Sequence, residues 1–168
     1  MSRLVIVFLA LIALTGGAQA ETRKIRIGTE GTYRPFSYFD AEGKLTGFEV
    51  ELDRAICAAV KADCEFVTME FDGLIPALQE KKIDALASGL RITEKRKKAI
   101  DFTDKYYTPY ARFVSCAHRD QADLAPAAVK GWIIGTQSGS TNADYLQADY
   151  GGMAEIRLYK SMDDVYQD

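Results

Sequence analysis

Histidine and cysteine are scarce in this chain of 168 residues: there is one histidine, His118, and there are three cysteines. A Ser-His-Asp or Cys-His-Asn arrangement needs a histidine beside its nucleophile, and one isolated histidine gives no basis for assembling either. His118 is also distant in sequence from the pair Cys57 and Cys64, and no second cysteine pair is present, which argues against a zinc site. The sequence therefore predicts no metal site, no cofactor and no catalytic residues.

Positive charge and long apolar runs are also limited. The formal net charge is -3, which gives no basic footprint for nucleic acid, and we expect no nucleic-acid partner. Beyond the first 20 residues, no segment is apolar for long enough to cross a bilayer. The Gly/Ser segment 135–142 lacks the Gly-x-x-x-x-Gly-Lys pattern of a phosphate-binding P-loop.

The N-terminus has the order of features typical of a secretory signal peptide. Arg3 is followed by an apolar run over residues 4–14 and by the small-residue cleavage pattern Ala18-Gln19-Ala20. We expect residues 1–20 to be removed and the mature chain to begin at Glu21 in the periplasm. Loss of Arg3 would change the formal charge from -3 to -4.

Cysteine spacing fits export to an oxidising compartment. In a continuous helix, residues seven positions apart have Cα atoms about 10 Å apart, beyond the disulfide limit of roughly 7 Å. A Cys57–Cys64 bridge therefore requires the helix to end near residues 61–63 and the chain to turn back. Export favours that bridge over two free thiols, and Cys116 is expected to be buried or unpaired.

Hydrophobic patterning predicts alternating strands and helices. Apolar residues repeat every four positions at Phe48, Leu52, Ile56 and Val60, which indicates an amphipathic helix. Strands are predicted at residues 24–28, 36–39, 45–48, 64–69, 83–88, 132–136 and 155–159. Further helices are predicted at residues 72–78, 93–99, 142–147 and 162–167, with Asp72 capping the first. An Ala-rich boundary at 117–130 separates two groups of elements, so the fold class is α/β with a mainly parallel sheet.

Ligands on parallel sheets bind at the carboxyl ends of the strands, and three segments there are suited to a small zwitterion: residues 28–36, 88–96 and 135–142. Thr93 is a suitable helix N-cap, which would place Arg96 in a first turn, where a guanidinium is favourable only beside an anion such as a carboxylate. The alternative is that Arg96 belongs to a solvated charge run, 94–98. Thr141 is the expected cap of the helix that begins at 142. The loop before this helix could either bind an anion with its backbone N–H groups or serve only as the start of an ordinary capped helix.

Six ordered motifs resemble one family. They are Gly28-Thr-x-x-Thr-Tyr-x-Pro-Phe36, Gly47-Phe-Glu-Val-Glu-Leu52, Phe71-Asp-Gly-Leu-Ile-Pro76, Ile92-Thr-Glu-Lys-Arg96, Asp101-Phe-Thr-Asp-x-Tyr-Tyr107 and Gly135-x-Gln-Ser-Gly-Ser-Thr141. Together they are similar to the family 3 extracellular solute-binding proteins of bacterial amino-acid ABC importers, especially the lysine/arginine/ornithine and histidine binders. The resemblance covers residues 22–168, and those binders carry a cysteine pair resembling Cys57 and Cys64.

The resemblance implies how the ligand backbone is bound. Arg96 resembles the arginine that clamps the ligand α-carboxylate, assisted by Ser140 and Thr141. Ser88 and Gly89 occupy positions that receive the α-ammonium group.

The resemblance also implies how the ligand side chain is bound. Tyr33 and Phe71 resemble the aromatic pair that sandwiches it, while Glu30 occupies the position that meets a cationic end. Without the family, core packing would be the simpler interpretation of both rings. Arg91 departs from the family, where serine or threonine is usual; it could oppose the ligand ammonium, pair with Glu30 or point away.

The expected fold is type II periplasmic-binding-protein-like, with one lobe over residues 21–115 and a partial second lobe over 116–168. The resemblance implies a monomeric, non-enzymatic periplasmic protein that captures a polar, basic amino acid by lobe closure and docks on an inner-membrane ABC permease. Family members continue beyond the position of Asp168, so we expect a C-terminally truncated member with an incomplete second lobe. The alternative is a periplasmic cyclohexadienyl or arogenate dehydratase of the same fold.

Overall fold

A computed structural model describes residues 23–116 and 123–168 of the chain. The predicted signal peptide and His118 lie outside these residues. In the described part, three parallel strands form a sheet, here called the first sheet: β1 (Lys24–Thr29), β5 (Asp63–Thr68) and β6 (Ala85–Leu86). Their order in the sheet is β5-β1-β6. A small antiparallel sheet contains β2 (Thr32–Tyr33), β3 (Ser37–Phe39) and β4 (Leu45–Thr46).

The central strand β1 sets the register of the first sheet. Gly28 lies opposite Val67 on one side and Leu86 on the other, so the carboxyl ends of all three strands meet at one edge. Strand β6 is shorter than predicted, and Ile83, which precedes it, packs in the core. The sheet edge therefore leads directly into Glu30 on one strand and Ser88 on another.

Three helices accompany this sheet: α1 (Phe48–Ala59), α2 (Leu74–Gln79) and α3 (Glu94–Lys97). Helix α2 follows a 3-10 turn (Phe71–Gly73) that includes Asp72, so the prediction that Asp72 caps a helix is wrong. Helix α3 begins after Thr93, whose hydroxyl accepts a hydrogen bond from the Arg96 backbone N–H at 3.2 Å, as expected of an N-cap.

The buried face of α1 differs from the apolar repeat that predicted the helix. Phe48, Ile56 and Val60 are exposed, whereas Glu49, Val50 and Cys57 are buried. The spacing of positions 50 and 57, two helical turns apart, places both on the face that packs against the sheet. The repeat thus predicted the helix correctly, while the residues that contact the sheet come from a different face.

A disulfide joins Cys57 and Cys64, with their Cα atoms 6.2 Å apart. The helix ends at Ala59, and Lys61 adopts a positive φ of 54°, which reverses the chain. The Ala62 backbone N–H then donates to the Cys57 carbonyl at 2.9 Å and closes the turn. Cys116 is unpaired and exposed, so the buried alternative for this thiol is wrong.

The second sheet pairs two parallel strands, β7 (Ile133–Gln137) and β8 (Glu155–Tyr159). Helices α4 (Thr141–Asp149) and α5 (Met162–Gln167) follow these strands. The core beside the second sheet is formed by Val129, Leu146, Tyr150 and Ala154. Apolar residues at 110–116 predict an extended segment, but residues 101–116 have no regular secondary structure, so no strand forms there. Among the described residues, we find no helix that is long and apolar enough to span a membrane.

Candidate functional site

Glu30 lies immediately after β1 and is 7% exposed. Its carboxylate accepts hydrogen bonds from the Gln137 side-chain amide at the end of β7 and from the Ser88 hydroxyl at 3.4 Å. Burial raises the pKa of Glu30, and these two hydrogen bonds partly offset the increase. Both donors are neutral, so Glu30 is a buried acid without a cationic partner among the described residues.

Arg96 lies in the first turn of α3 and is 9% exposed. Its guanidinium donates to the Arg91 carbonyl at 2.9 Å and to the Gly139 carbonyl, in the loop after β7, at 2.9 Å. No carboxylate lies within salt-bridge distance of it in the part of the chain that is described, and burial lowers its pKa. Arg96 is therefore separate from the exposed side chains of the surrounding charge run, in which Lys97 pairs with Glu94.

Ser88 and Gly89 form the strand end that faces Glu30. Ser88 is buried, and Gly89 has a φ of +56°, a backbone conformation that glycine adopts readily. The Gly89 N–H donates to the Glu49 carboxylate at 2.8 Å. A methyl group placed on Gly89 would lie 3.8 Å from the Tyr33 ring, so Tyr33 borders the same strand end.

The two predicted aromatic residues have different surroundings. Tyr33 is half-buried and stacks on Phe36, with ring centroids 5.4 Å apart. Phe71 is buried in the core cluster with Leu74, while the Arg96 guanidinium lies 5.8 Å from its ring centroid. That distance is within the range of a cation–π contact. Phe71 thus combines core packing with a contact to the candidate site.

Ser140, and not Thr141, is the N-cap of α4. The Ser140 hydroxyl accepts a hydrogen bond from the Ala143 backbone N–H at 3.1 Å and donates to the Gln137 carbonyl at 2.7 Å. The capping prediction for Thr141 is wrong by one residue, because Ser140 has the extended backbone that an N-cap requires. Thr141 is the first helical residue and is partly buried.

Further contacts join the segments that follow β7 and β8 to residues that follow β5. The Ser138 hydroxyl donates to the Asp72 carboxylate at 3.2 Å, and Lys160 pairs with Glu70 at 2.8 Å. Gly139 has a φ of +69°, and a Cβ there would lie 2.8 Å from the Asp72 Cβ. Only glycine permits this close approach of the two segments.

Sequence reasoning missed Gln137 and Glu49 as members of this cluster. Gln137 belongs to the motif at 135–141 and directly follows a predicted strand. That strand-end position could have identified it as a candidate site residue. Glu49 stands in the first turn of a predicted helix, where an acid is explained by the helix dipole alone. Arg91 is exposed and does not pair with Glu30; its backbone carbonyl, and not its side chain, contacts Arg96.

Two cavities lie beside the cluster. One of about 260 Å³ is lined by Glu49, Gly89, Arg91 and Tyr106, and one of about 480 Å³ is lined in part by Ser88. Glu30 and Arg96 line neither cavity; they contact Gln137 and Gly139 directly. Within the described residues, no group of three or more histidine, cysteine or acidic side chains is placed to hold a metal ion.

The arrangement of parallel sheets with buried charges at facing strand ends is that of a type II periplasmic binding protein. A solved ancestral arginine-binding protein, bound to glutamine, superimposes with a TM-score of 0.76 at 33% identity, over 88% of this chain and 64% of that one. The sequence profile of the bacterial extracellular solute-binding proteins, family 3, matches residues 25–155. The chain belongs to this family.

Two similar members of the family illustrate the sequence relationship. The L-arginine-binding protein of Pseudomonas aeruginosa is 41% identical over 95% of this chain. The histidine-binding periplasmic protein of Salmonella typhimurium is 39% identical over 95% of this chain. The present chain spans 62% of the length of each.

Proposed function

We propose that this protein captures an amino acid with a cationic side chain in the periplasm and presents it to an inner-membrane ABC permease. The residues that would hold the ligand are Glu30, Tyr33, Phe71, Ser88, Gly89, Arg96, Ser140 and Thr141. Its lobes would be formed by residues 21–115 and 116–168, after removal of residues 1–20. In this proposal the protein acts as a monomer, binds ligand without chemistry and contains no catalytic residue.

One observation carries the proposal: two buried charges of opposite sign have only neutral hydrogen-bond partners. Glu30 is bonded to Gln137 and Ser88, and Arg96 is bonded to two backbone carbonyls. Burying an ionised group is unfavourable unless a complementary charge or several hydrogen bonds compensate. A free amino acid with a cationic side chain supplies a carboxylate for Arg96 and a cation for Glu30.

Ligand entry requires the strand ends to separate. Gln137 and Gly139 currently occupy the hydrogen-bonding directions of Glu30 and Arg96, so a ligand must replace one set of contacts with another. Hinge closure of two lobes around a ligand is the known motion of periplasmic binding proteins. In our proposal, the ligand takes over the Glu30 and Arg96 hydrogen bonds and so bridges the two sheets.

Titration calorimetry with a panel of arginine, lysine, ornithine, histidine, glutamine and alanine tests the proposal. We expect the cationic amino acids to bind more tightly than glutamine and alanine. A prephenate turnover assay on the same preparation tests the dehydratase alternative, and turnover without amino-acid binding would contradict the proposal. N-terminal sequencing of periplasmic material, expected to begin at Glu21, tests the localisation.

A further inference from the structure

Glu49 is the least exposed charged residue of the described chain, at 2%, and it lies outside the proposed ligand contacts. It stands in the first turn of α1, where its backbone N–H donates to the Phe36 carbonyl at 3.0 Å. Its backbone is therefore anchored to the chain segment that follows Tyr33. Its side chain extends from this fixed point toward the strand end after β6.

The Glu49 carboxylate joins two other segments at a single oxygen. Oε1 accepts a hydrogen bond from the Gly89 N–H at 2.8 Å and another from the Tyr106 hydroxyl. Gly89 has a positive φ, and glycine explores both signs of φ when nothing restrains it. A charge-assisted bond to a buried carboxylate is a strong restraint on this backbone position.

The surroundings of Glu49 are acidic. Asp53 lies one turn further along α1. Its pKa is raised to about 6, mainly by burial and to a lesser extent by the charge of Glu49. Glu30, Tyr33 and Tyr106 also experience its charge. Glu49 Oε2 and Asp53 Oδ2 are buried without a hydrogen-bond partner among the described residues.

A role in packing alone explains this arrangement poorly. A buried carboxylate oxygen that lacks a donor destabilises the fold, and an apolar side chain of similar size avoids that cost. What the apolar side chain lacks is an acceptor for the Gly89 N–H. An acceptor is required at this point, and an ionised carboxylate holds the Gly89 N–H more strongly than a neutral amide oxygen would.

We infer that Glu49 is a positioning residue that holds the Ser88–Gly89 strand end in its ligand-binding geometry and couples it to Tyr106. This inference rests on the proposed function for the ligand, although the restraint on Gly89 can be measured without one. Glu49 itself does not contact the ligand, so its loss should weaken the binding of neutral ligands as well as cationic ones. That property separates it from Glu30.

The test uses NMR of the whole chain together with calorimetry. In Glu49→Gln, the charge-assisted bond becomes a neutral one, and the Gly89 amide proton is expected to move upfield and to exchange faster with solvent. The pKa of Asp53 is expected to fall from about 6, because one cause of its increase is removed. Affinities for both arginine and glutamine should fall, each by about ten-fold, equivalent to about 1.4 kcal/mol.

Tyr106→Phe provides a second variant in case Glu49→Gln does not fold. With the hydroxyl removed, Oε1 accepts from Gly89 alone, and the Gly89 amide proton should move downfield. Tyr107→Phe is the matched control, because the Tyr107 ring packs on Phe36 and its hydroxyl makes no contact with Glu49. It should leave the Gly89 resonance unchanged.

An unchanged Gly89 resonance in folded Glu49→Gln, or in Tyr106→Phe if the former does not fold, overturns the inference. A loss of affinity confined to cationic ligands also overturns it, because Glu49 would then be a ligand contact. If the unmodified chain binds no amino acid, the proposed function fails, while the Gly89 resonance still decides the role of Glu49.

Discussion

The side-chain amide of Gln137 donates a hydrogen bond to the buried carboxylate of Glu30, joining the end of β7 to the end of β1. This contact gives Glu30 a neutral partner at the position where a ligand cation is proposed to bind. A cationic ligand must therefore be a better partner for Glu30 than the amide is. A ligand cation adds the attraction between two opposite charges to the hydrogen bond, which the neutral amide cannot do, and this favours cationic ligands at this position.

Glu30→Gln is expected to weaken binding of arginine, lysine and ornithine while leaving glutamine and alanine nearly unchanged. Only a cationic side chain needs the acid, and loss of one partner from a buried charge pair costs about 2–5 kcal/mol. Calorimetry across the amino-acid panel measures the difference. Glu42→Gln, at an exposed position, is the control. Equal losses for both ligand classes would make Glu30 a structural residue.

Gln137→Leu is expected to raise the ratio of affinities for cationic over neutral amino acids. The substitution removes the amide that competes for Glu30, and it also raises the pKa of Glu30, since the amide hydrogen bond lowers it. Arginine and glutamine titrations at pH 7.5, far above the ordinary glutamate range near 4, give the ratio. Gln147→Leu, the same substitution at an exposed position on α4, is the control. A constant ratio would show that Gln137 does not influence ligand choice.

The sequence predicted the order of strands and helices because turn residues and apolar patterning are local features. Thr93 and Arg96 illustrate this: the cap was predicted from one hydroxyl before a charged turn, and the structure contains that hydrogen bond. The carboxyl-end rule for parallel sheets similarly placed Glu30 and Ser88 at one edge. Family motifs, rather than periodicity, supplied the proposed roles of these residues.

Contacts between distant segments were not predictable from local patterns. The Glu30–Gln137 bond joins residues separated by 107 positions, and the Glu49–Tyr106 bond joins residues separated by 57. The apolar repeat did not identify the buried face of α1 for a related reason. An apolar repeat defines one face of a helix, but the sheet and the Cys57–Cys64 bridge determine which face is buried.

Replacing both Cys57 and Cys64 with serine is expected to lower the free energy of unfolding by about 2.5 kcal/mol, because the short loop between them limits the entropic gain. Denaturant unfolding followed by circular dichroism measures the change. Cys116→Ser, at the exposed unpaired cysteine, should leave stability unchanged. A loss as large as that of the double variant would show that Cys116 contributes to folding.

Asp53→Asn is expected to stabilise the protein at neutral pH. The pKa of Asp53 is raised to about 6, so the folded state holds this proton more tightly than the unfolded state, whose ordinary value is near 3.9. Stability of the unmodified protein should therefore fall as pH rises from about 4 to about 6. The advantage of the variant should grow over that window and disappear below it.

Denaturant midpoints measured between pH 3.5 and 8 test this expectation, with the exposed residue Asp149 changed to asparagine as the control. The control should track the unmodified protein throughout the range. An advantage of Asp53→Asn that does not depend on pH would contradict the proposed titration.

Arg96→Ala is expected to weaken binding of every amino-acid ligand, because all share the α-carboxylate that Arg96 is proposed to hold. Truncating one partner of a desolvated charge pair costs about 2–5 kcal/mol, or roughly two to three orders of magnitude in affinity. The affinity of Arg96→Lys should lie between those of the unmodified protein and Arg96→Ala. An ammonium keeps the charge but lacks the planar guanidinium that binds a carboxylate through two hydrogen bonds. Lys95→Ala, an exposed neighbour on α3, should bind normally.

The same variant also tests the present contacts of Arg96. Its guanidinium bonds to the Gly139 carbonyl, so Arg96→Ala removes one link between the two sheets before any ligand is added. Small-angle scattering should then report a more open particle in the ligand-free state. Unchanged affinity for all ligands in a folded Arg96→Ala would show that Arg96 does not hold the α-carboxylate, and the proposed binding mode would fail with it.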